Sequence, residues 1–311
     1  MHRRLTFQGD TGAIGRLADQ ITDLDGVIGL ARWPGGSLKP AGDVLQADVL
    51  NQAADEVLRR ARPSLEDPAH PMTLVISQSN AVIDREHREM IERDADESLW
   101  EEMESDLRNH GRISINYVVL MALGGAVAAA GFLFDPVPEA VAMVGAAIIA
   151  PGFEPIAKMA QAIVLKRPYV VLRAFRSVVV GYAVLAAAAA ALTFAAGALR
   201  LAPQPPHVVP PETARYLARL EAAPIVTSAC AAVAGVLMVV SLRDLYVVGP
   251  LMVLVLISGV ALVGAALARG EGRLAVAALE RVGVDVALIV GLGAGVFAWK
   301  QRRFHRRRPL P

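Results

Sequence analysis

Pro151, Glu154, Pro155 and Lys158 fall together inside an apolar run, in Val144-Gly-Ala-Ala-Ile-Ile-Ala-Pro151-Gly152-Phe153-Glu154-Pro155-Ile156-Ala157-Lys158. A proline removes a backbone donor and clashes with the preceding turn, so two of them four residues apart predict a broken helix with freed carbonyls. In a bilayer such a break survives only where it is buried in protein or faces a cavity. A carboxylate between the prolines could coordinate a cation with those carbonyls, or carry a proton. Three readings of Glu154 stand: it lines a cavity, it pairs with Lys158 at i, i+4 on an intact helix, or Lys158 instead reaches toward Lys166. Asp285 is the second ionisable candidate, with Arg281 four residues earlier offering the same choice between local pairing and a cavity. Together with Gly152 in the break and Ser258, introduced below, the candidate transport pathway is Pro151, Gly152, Glu154, Pro155, Lys158, Ser258 and Asp285.

The composition says what surrounds these residues. The chain is 54% hydrophobic and 20% charged over 311 residues, too apolar for an ordinary soluble protein and too charged for membrane throughout, so the two properties must be segregated. Residues 1–112 hold 13 basic and 21 acidic side chains and the remainder 18 and 9, so near-neutrality overall conceals two oppositely charged parts. The single cysteine, Cys230, excludes an internal disulfide and reads as a small packing residue. The arginines near the N-terminus precede no apolar stretch, so no secretory signal is expected there. All six histidines lie outside the apolar segments. With no Ser/His/Asp grouping, metal-ligand cluster or phosphate loop, the expectation is a non-enzyme with no cofactor, no bound metal and no nucleic-acid partner.

The N-terminal part alternates periodicities. Arg4–Gln8, Gly26–Trp33, Asp43–Leu50 and Met72–Ser77 read as strands, with turns at Pro34–Ser37 and Lys39–Gly42. Gly12–Asp23 reads as one helix, and a second begins at Asn51 as N-cap and ends before Pro63. The βαββαβ order predicts an α+β ferredoxin-like cytoplasmic domain over residues 1–80. Residues 81–112 form an acidic linker helix with a weak apolar stripe of Met90, Trp100, Met103 and Leu107, either solvated or packed on a neighbouring subunit. Residues 113–300 form an α-helical multi-pass membrane domain of about six spans: Ile115–Phe134, Ala140–Leu165, Val170–Leu199, Ile225–Leu242, Leu245–Ala268 and Leu274–Trp299, each near the ~20 residues a crossing needs. A proline-rich extracytoplasmic loop over Arg200–Pro224 separates the third from the fourth. Basic residues at Arg108, Arg112, Lys166, Arg167 and the 301–311 tail predict cytoplasmic N- and C-termini in a cell inner membrane. Arg173 and Arg176 read as interfacial anchors in preference to an anion site.

Gln161–Phe175 can be laid on Gly264–Ala278 without a gap, which places Ile257-Ser258 opposite the Pro151–Pro155 break. Three spans per half would make this a 3+3 inverted repeat, a plan common among secondary transporters; alanine-rich composition alone is the competing account. Gly124, Gly125, Ala128 and Ala129, and Gly291, Gly293 and Gly295, predict close helix contacts, with oligomerisation the lesser reading.

Gly124-Gly-Ala-Val-Ala-Ala-Ala-Gly131-Phe-Leu followed by Val144–Ile156 resembles the membrane core of the uncharacterised hydrophobic domain family, domain of unknown function number 389. Its pattern there reads I-G-A-M-L-I-A-P-L-M-G-P-I. The resemblance covers Arg112–Leu199 and extends loosely to Trp299. Glu154 stands where the pattern has glycine, Leu256-Ile257-Ser258 where the second half carries Pro-Pro, and Asp285 in place of an asparagine. The resemblance implies a multi-pass bacterial inner-membrane protein and brings no activity with it. The residues together predict a transporter or channel-like protein for a small solute or ion, with the lipid bilayer and further copies of the chain as partners. The alternative is a non-transporting sensor or scaffold whose cytoplasmic domain binds a ligand or partner.

Overall fold

The computed structural model describes residues 2–79, 84–92, 94, 98–110, 112–134, 139–201, 211–241 and 245–303. The expectations for the proline-rich stretch 202–210, the basic tail beyond residue 303 and the start of the linker at 80–83 lie outside the described residues. The chain divides between Met103 and Glu104 into two compact units.

The first unit runs β1 (His2–Gly9), α1 (Thr11–Ile21), β2 (Val27–Leu38), β3 (Ala41–Leu50), α2 (Asn51–Leu65) and β4 (Met72–Ser79), followed by α3 (Arg88–Glu92) and the start of α4 (Trp100–His110). This is the expected βαββαβ order. The strands form one antiparallel sheet in the order β2-β3-β1-β4. Period-two alternation turns Leu5 and Phe7 of β1 and Leu45, Ala47 and Val49 of β3 to one face, where Ile14, Leu17 and Ile21 of α1 and Ala54, Val57 and Leu58 of α2 close the core. Each such large side chain contributes about 1.5–3 kcal/mol by leaving water. Asp10 caps α1, its Oδ1 accepting from the Ala13 amide at 2.8 Å.

Four local expectations are corrected. Pro34–Ser37 is no turn: β2 continues through it with an irregular register between Trp33 and Ser37, and the chain reverses at Lys39-Pro40. The second helix passes through Pro63 to Leu65, the proline giving up a single amide donor one turn from the helix end. Asn51 is the first helical residue and not the cap; Asp94 caps α2 instead, its two oxygens accepting from the Asn51 and Gln52 amides at 2.9 and 3.2 Å. Finally, the acidic segment is not simply solvated. Leu99 joins the core of this unit, Trp100 and Met103 are buried, and Glu102 holds the fully buried Arg3 at 3.0 Å.

The second unit contains α5 (Ile115–Leu133), α6 (Glu139–Ile149), α7 (Glu154–Val164), α8 (Pro168–Ala198), α9 (Pro211–Ala218), α10 (Ala222–Val240), α11 (Leu245–Ala268) and α12 (Gly272–Arg303). By length and composition α5, α8, α10 and α12 can each cross a membrane, and α6 with α7 makes a fifth as one bent span. The described apolar part of α11, Val255–Ala268, is shorter. The chain is thus a membrane protein with four to five spans evident. Helix α8 packs on α5, α7 and α11, and α12 on α7, α10 and α11. Gly125 and Gly264 permit close approach to the α8 backbone, since a Cβ on them would lie 2.3 Å from the Leu185 carbonyl oxygen and 2.0 Å from that of Ala186. Gly124 and Gly293 also sit in tight contacts, whereas Gly291 and Gly295 have nothing near them among the described residues, contrary to the expectation for that stretch.

Candidate functional site

The expected break is present: α6 ends at Ile149, α7 begins at Glu154, and their axes differ by 51°. Pro155 occupies the first turn of α7, where its missing amide costs nothing. Within the break the Gly152 amide donates to the Ala150 carbonyl at 2.8 Å, and the Phe153 carbonyl accepts from Ile156 and Ala157. The Gly152 carbonyl is met from α8, where the buried Tyr182 hydroxyl donates to it at 3.3 Å. Tyr117 of α5 donates to the Ser177 carbonyl at 2.8 Å, entering the space that Gly181 leaves by lacking a Cβ.

Sequence reasoning missed these tyrosines, although a signal existed. Tyr182 stands in the unbroken apolar run Val178–Leu192, ~21 Å along α8 from Pro168 at 1.5 Å per residue, far too deep for an interfacial aromatic belt. Glu154 opens α7, where the helix dipole favours an acid. Lys158 is buried, with Glu104, Arg108 and Arg173 among the charges around it. Arg167 secures Glu104 through Nη1 at 2.6 and 2.7 Å.

Asp285 belongs to a second polar group. On α12 it lies ~20 Å from Gly272 by helical rise, and its Oδ1 is 3.0 Å from Nη2 of Arg281. Arg281 is wholly buried; the same Nη2 donates to Ser228 Oγ at 2.7 Å and the Pro224 carbonyl at 3.1 Å, both on α10. The local pairing foreseen from the i, i+4 spacing thus exists, yet the ion pair is close in distance without hydrogen-bonding angles: neither Asp285 oxygen has a hydrogen-bond partner, nor do Nε and Nη1 of Arg281. Beside the pair lies a cavity of about 500 Å³ bounded by Asp285 and Ile289 of α12, Ser228 and Cys230 of α10, Leu256 of α11 and Tyr216 of α9. Val255 and Leu256, and not Ser258, are the α11 contribution to this wall. Ser258 is fully buried with its hydroxyl lacking a hydrogen-bond partner.

Residues 147–291 match the family described as Domain of unknown function (DUF389). No curated protein and no solved structure matches the chain. The DUF389 segment opens three residues before Ala150 and closes six after Asp285, so it contains the break, Tyr182, Ser228, Arg281 and Asp285 together. The N-terminal unit and α5, with the Gly124–Leu133 motif and Tyr117, fall outside it. Among the described residues no group of three His, Cys, Asp or Glu side chains is placed to hold a metal ion. What the DUF389 segment offers chemically is a hydrogen-bonded helix break and a buried ion pair at a cavity.

Proposed function

We propose that this membrane protein of the unknown-function class passes a small solute or ion across the bilayer, along a pathway that includes the α6–α7 break and the Asp285 cavity. The observation that carries the reading is Asp285, a buried carboxylate in mid-helix that borders a cavity of about 500 Å³; the Tyr182 hydroxyl on the Gly152 carbonyl of the break adds a second polar group within the same unit. Polar groups inside an apolar helical core are expensive, and a pathway gives them a use.

The proposal extends to six spans in a 3+3 inverted repeat, with α11 as the fifth. Helix lengths support it: 19 residues, a broken pair and 31 residues in α5–α8 stand against 19, 24 and 32 in α10–α12. So do the matching left-handed caps at Lys166 after α7 and Gly270 after α11. In the second half the break is replaced by a continuous helix through Leu256-Ile257-Ser258, as the missing Pro-Pro suggests. The same proposal places the protein in a cell inner membrane with both termini cytoplasmic, as a homo-oligomer without enzymatic activity, the N-terminal unit regulating or assembling it.

Proteoliposomes test the proposal. Shrinkage and reswelling with glycerol or urea, and proton or potassium flux with an entrapped dye, are compared with protein-free vesicles. At least one flux is expected above background, reduced by about tenfold, or 1.4 kcal/mol of barrier, in Asp285→Asn. A matching loss in Glu154→Gln places the carboxylate in the pathway, and unaltered flux removes it. Background rates for every solute would overturn transport.

A further inference from the structure

We propose that the cavity between α10, α11 and α12 binds an uncharged amphipathic molecule, such as an alcohol, phenol or amide, whose hydrogen-bond donor meets Asp285 and whose apolar body lies against Leu256 and Ile289. The proposal deepens the transport reading and rests on it for the site's use, since it names the class of solute.

Charge decides the class. Among the described lining residues Asp285 is the charged one, and Arg281 behind it already neutralises it at 3.0 Å. A cation entering this space would leave one positive charge uncompensated in an apolar surrounding, and an anion would meet the carboxylate; either costs several kcal/mol of desolvation. A neutral occupant incurs neither cost. Arg281 is itself no binding group, because it is wholly buried and outside the lining.

Hydrogen-bonding capacity decides the occupant's polar end. Asp285 is 3% exposed, and both of its oxygens lack hydrogen-bond partners. Ser228 Oγ accepts from Arg281 and keeps its own hydroxyl hydrogen, while Thr227, also in the lining, donates its hydroxyl to the Ala223 carbonyl at 3.0 Å. Against the several lone pairs of the Asp285 carboxylate the wall thus offers the Ser228 hydroxyl and little else, so an occupant that brings a donor finds an acceptor there. Met238, Leu256 and Ile289 supply the apolar remainder, and about 500 Å³ lies within the range of small-molecule pockets. Thr227 and Cys230 lie on the exposed side of α10, so the cavity opens laterally, where an amphipathic solute partitioned into the bilayer would reach it.

Cys230 makes the test direct, since it is the chain's single cysteine and lies in the wall. In lipid nanodiscs the rate of its alkylation by N-ethylmaleimide is measured with benzyl alcohol, benzylammonium, benzoate or toluene. Benzyl alcohol is expected to slow labelling saturably, about tenfold at ten times its Kd, with the two ions without effect and toluene much weaker. A Val179→Cys probe on the outer side of α8, in a Cys230→Ala background, corrects for general effects on the bilayer. Asp285→Asn leaves Arg281 uncompensated, so benzoate should then become the protecting probe; should that variant not fold, the four-probe series on the natural chain decides alone. Protection by benzylammonium or benzoate equal to that by benzyl alcohol, or no protection by any probe, overturns the proposal. Selective protection without flux in proteoliposomes keeps the site and removes transport, whereas flux with protection by an ion removes the proposed class and keeps transport.

Discussion

Asp43 and Asp285 are both buried carboxylates beside an arginine, and the difference between them separates structure from function. Asp43 is saturated: Arg32 Nε and Nη2 donate at 2.9 and 2.7 Å, the Thr11 hydroxyl at 2.9 Å and the Gly35 amide at 2.9 Å. The Gly35 amide and the guanidinium hold its pKa below the usual carboxylate value. A depressed folded pKa means stabilisation that is complete above the unfolded value near 3.9 and is lost as pH falls through the folded one. Asp43→Asn should therefore lower hydrogen-exchange protection of β2 and β3 at pH 6, and the gap from the natural chain should narrow as the pH falls below the unfolded value and through the depressed folded one. A gap that persists in acid would mean that packing, and not charge, is what Asp43 supplies. Asp285 has one ion-pair contact, no hydrogen bonds and a cavity at its side, the condition of a group waiting for a partner. Its pairing was legible because Arg281 is four residues away on one helix. The Asp43 network was not, because its donors come from α1 and from β2, at Arg32 and in its irregular part at Gly35, and no local pattern announces a contact over such separations.

At the scale of elements, α8 is the post around which the membrane unit is assembled. In lipid, apolar contact between helices gains little over contact with acyl chains, so close packing and hydrogen bonds must hold them. Gly125 of α5 and Gly264 of α11 bring both helices onto adjacent carbonyls of α8. Gly264→Leu should lower the thermal midpoint in detergent and broaden the size-exclusion peak, since overpacking costs about 1–3 kcal/mol or more; Gly291→Leu, with open space around it, should leave both unchanged. Equal effects would show that helix propensity alone matters at these positions. The glycine pattern was legible as permission for close approach, which was right for Gly125 and not for Gly291, because a small residue does not choose which neighbour arrives. The prolines behaved likewise. Pro151 broke its helix with Gly152 and Pro155 to help, whereas Pro63 near a helix end did not. The acidic segment left solvation and packing on another subunit both open, because its charges outnumber its apolar residues; Trp100 and Met103 of its stripe, with Leu99, are what fold it back, and Asp94 and Glu102 bind the α2 amides and Arg3.

At the scale of the molecule, the topology turns on α11. If it crosses, the basic residues Arg108, Lys166, Arg167, Arg302 and Arg303 fall on one side and α9 on the other; if it only dips into the bilayer, the end of α12 lies on the side of α9. The asymmetry of lysine and arginine favours the first arrangement, since five basic residues then share the side on which positive charge is retained. Arg269 and Arg273 oppose it, partly offset by Glu271. Cysteine mapping in a Cys230→Ala background decides between them. With a membrane-impermeant maleimide applied to intact cells, Glu212→Cys on α9 should label, while Arg108→Cys and Arg302→Cys should label only after the membrane is opened. Labelling of Arg302→Cys from outside would reduce the spans to five and remove the inverted repeat with them, because two three-span halves of opposite orientation require an even total. The Asp285 cavity would survive that outcome, being built from contacts among α9, α10, α11 and α12 that do not depend on which way α12 points. The route from it to the two aqueous sides would not survive, so orientation bears on transport and leaves the binding site to its own test.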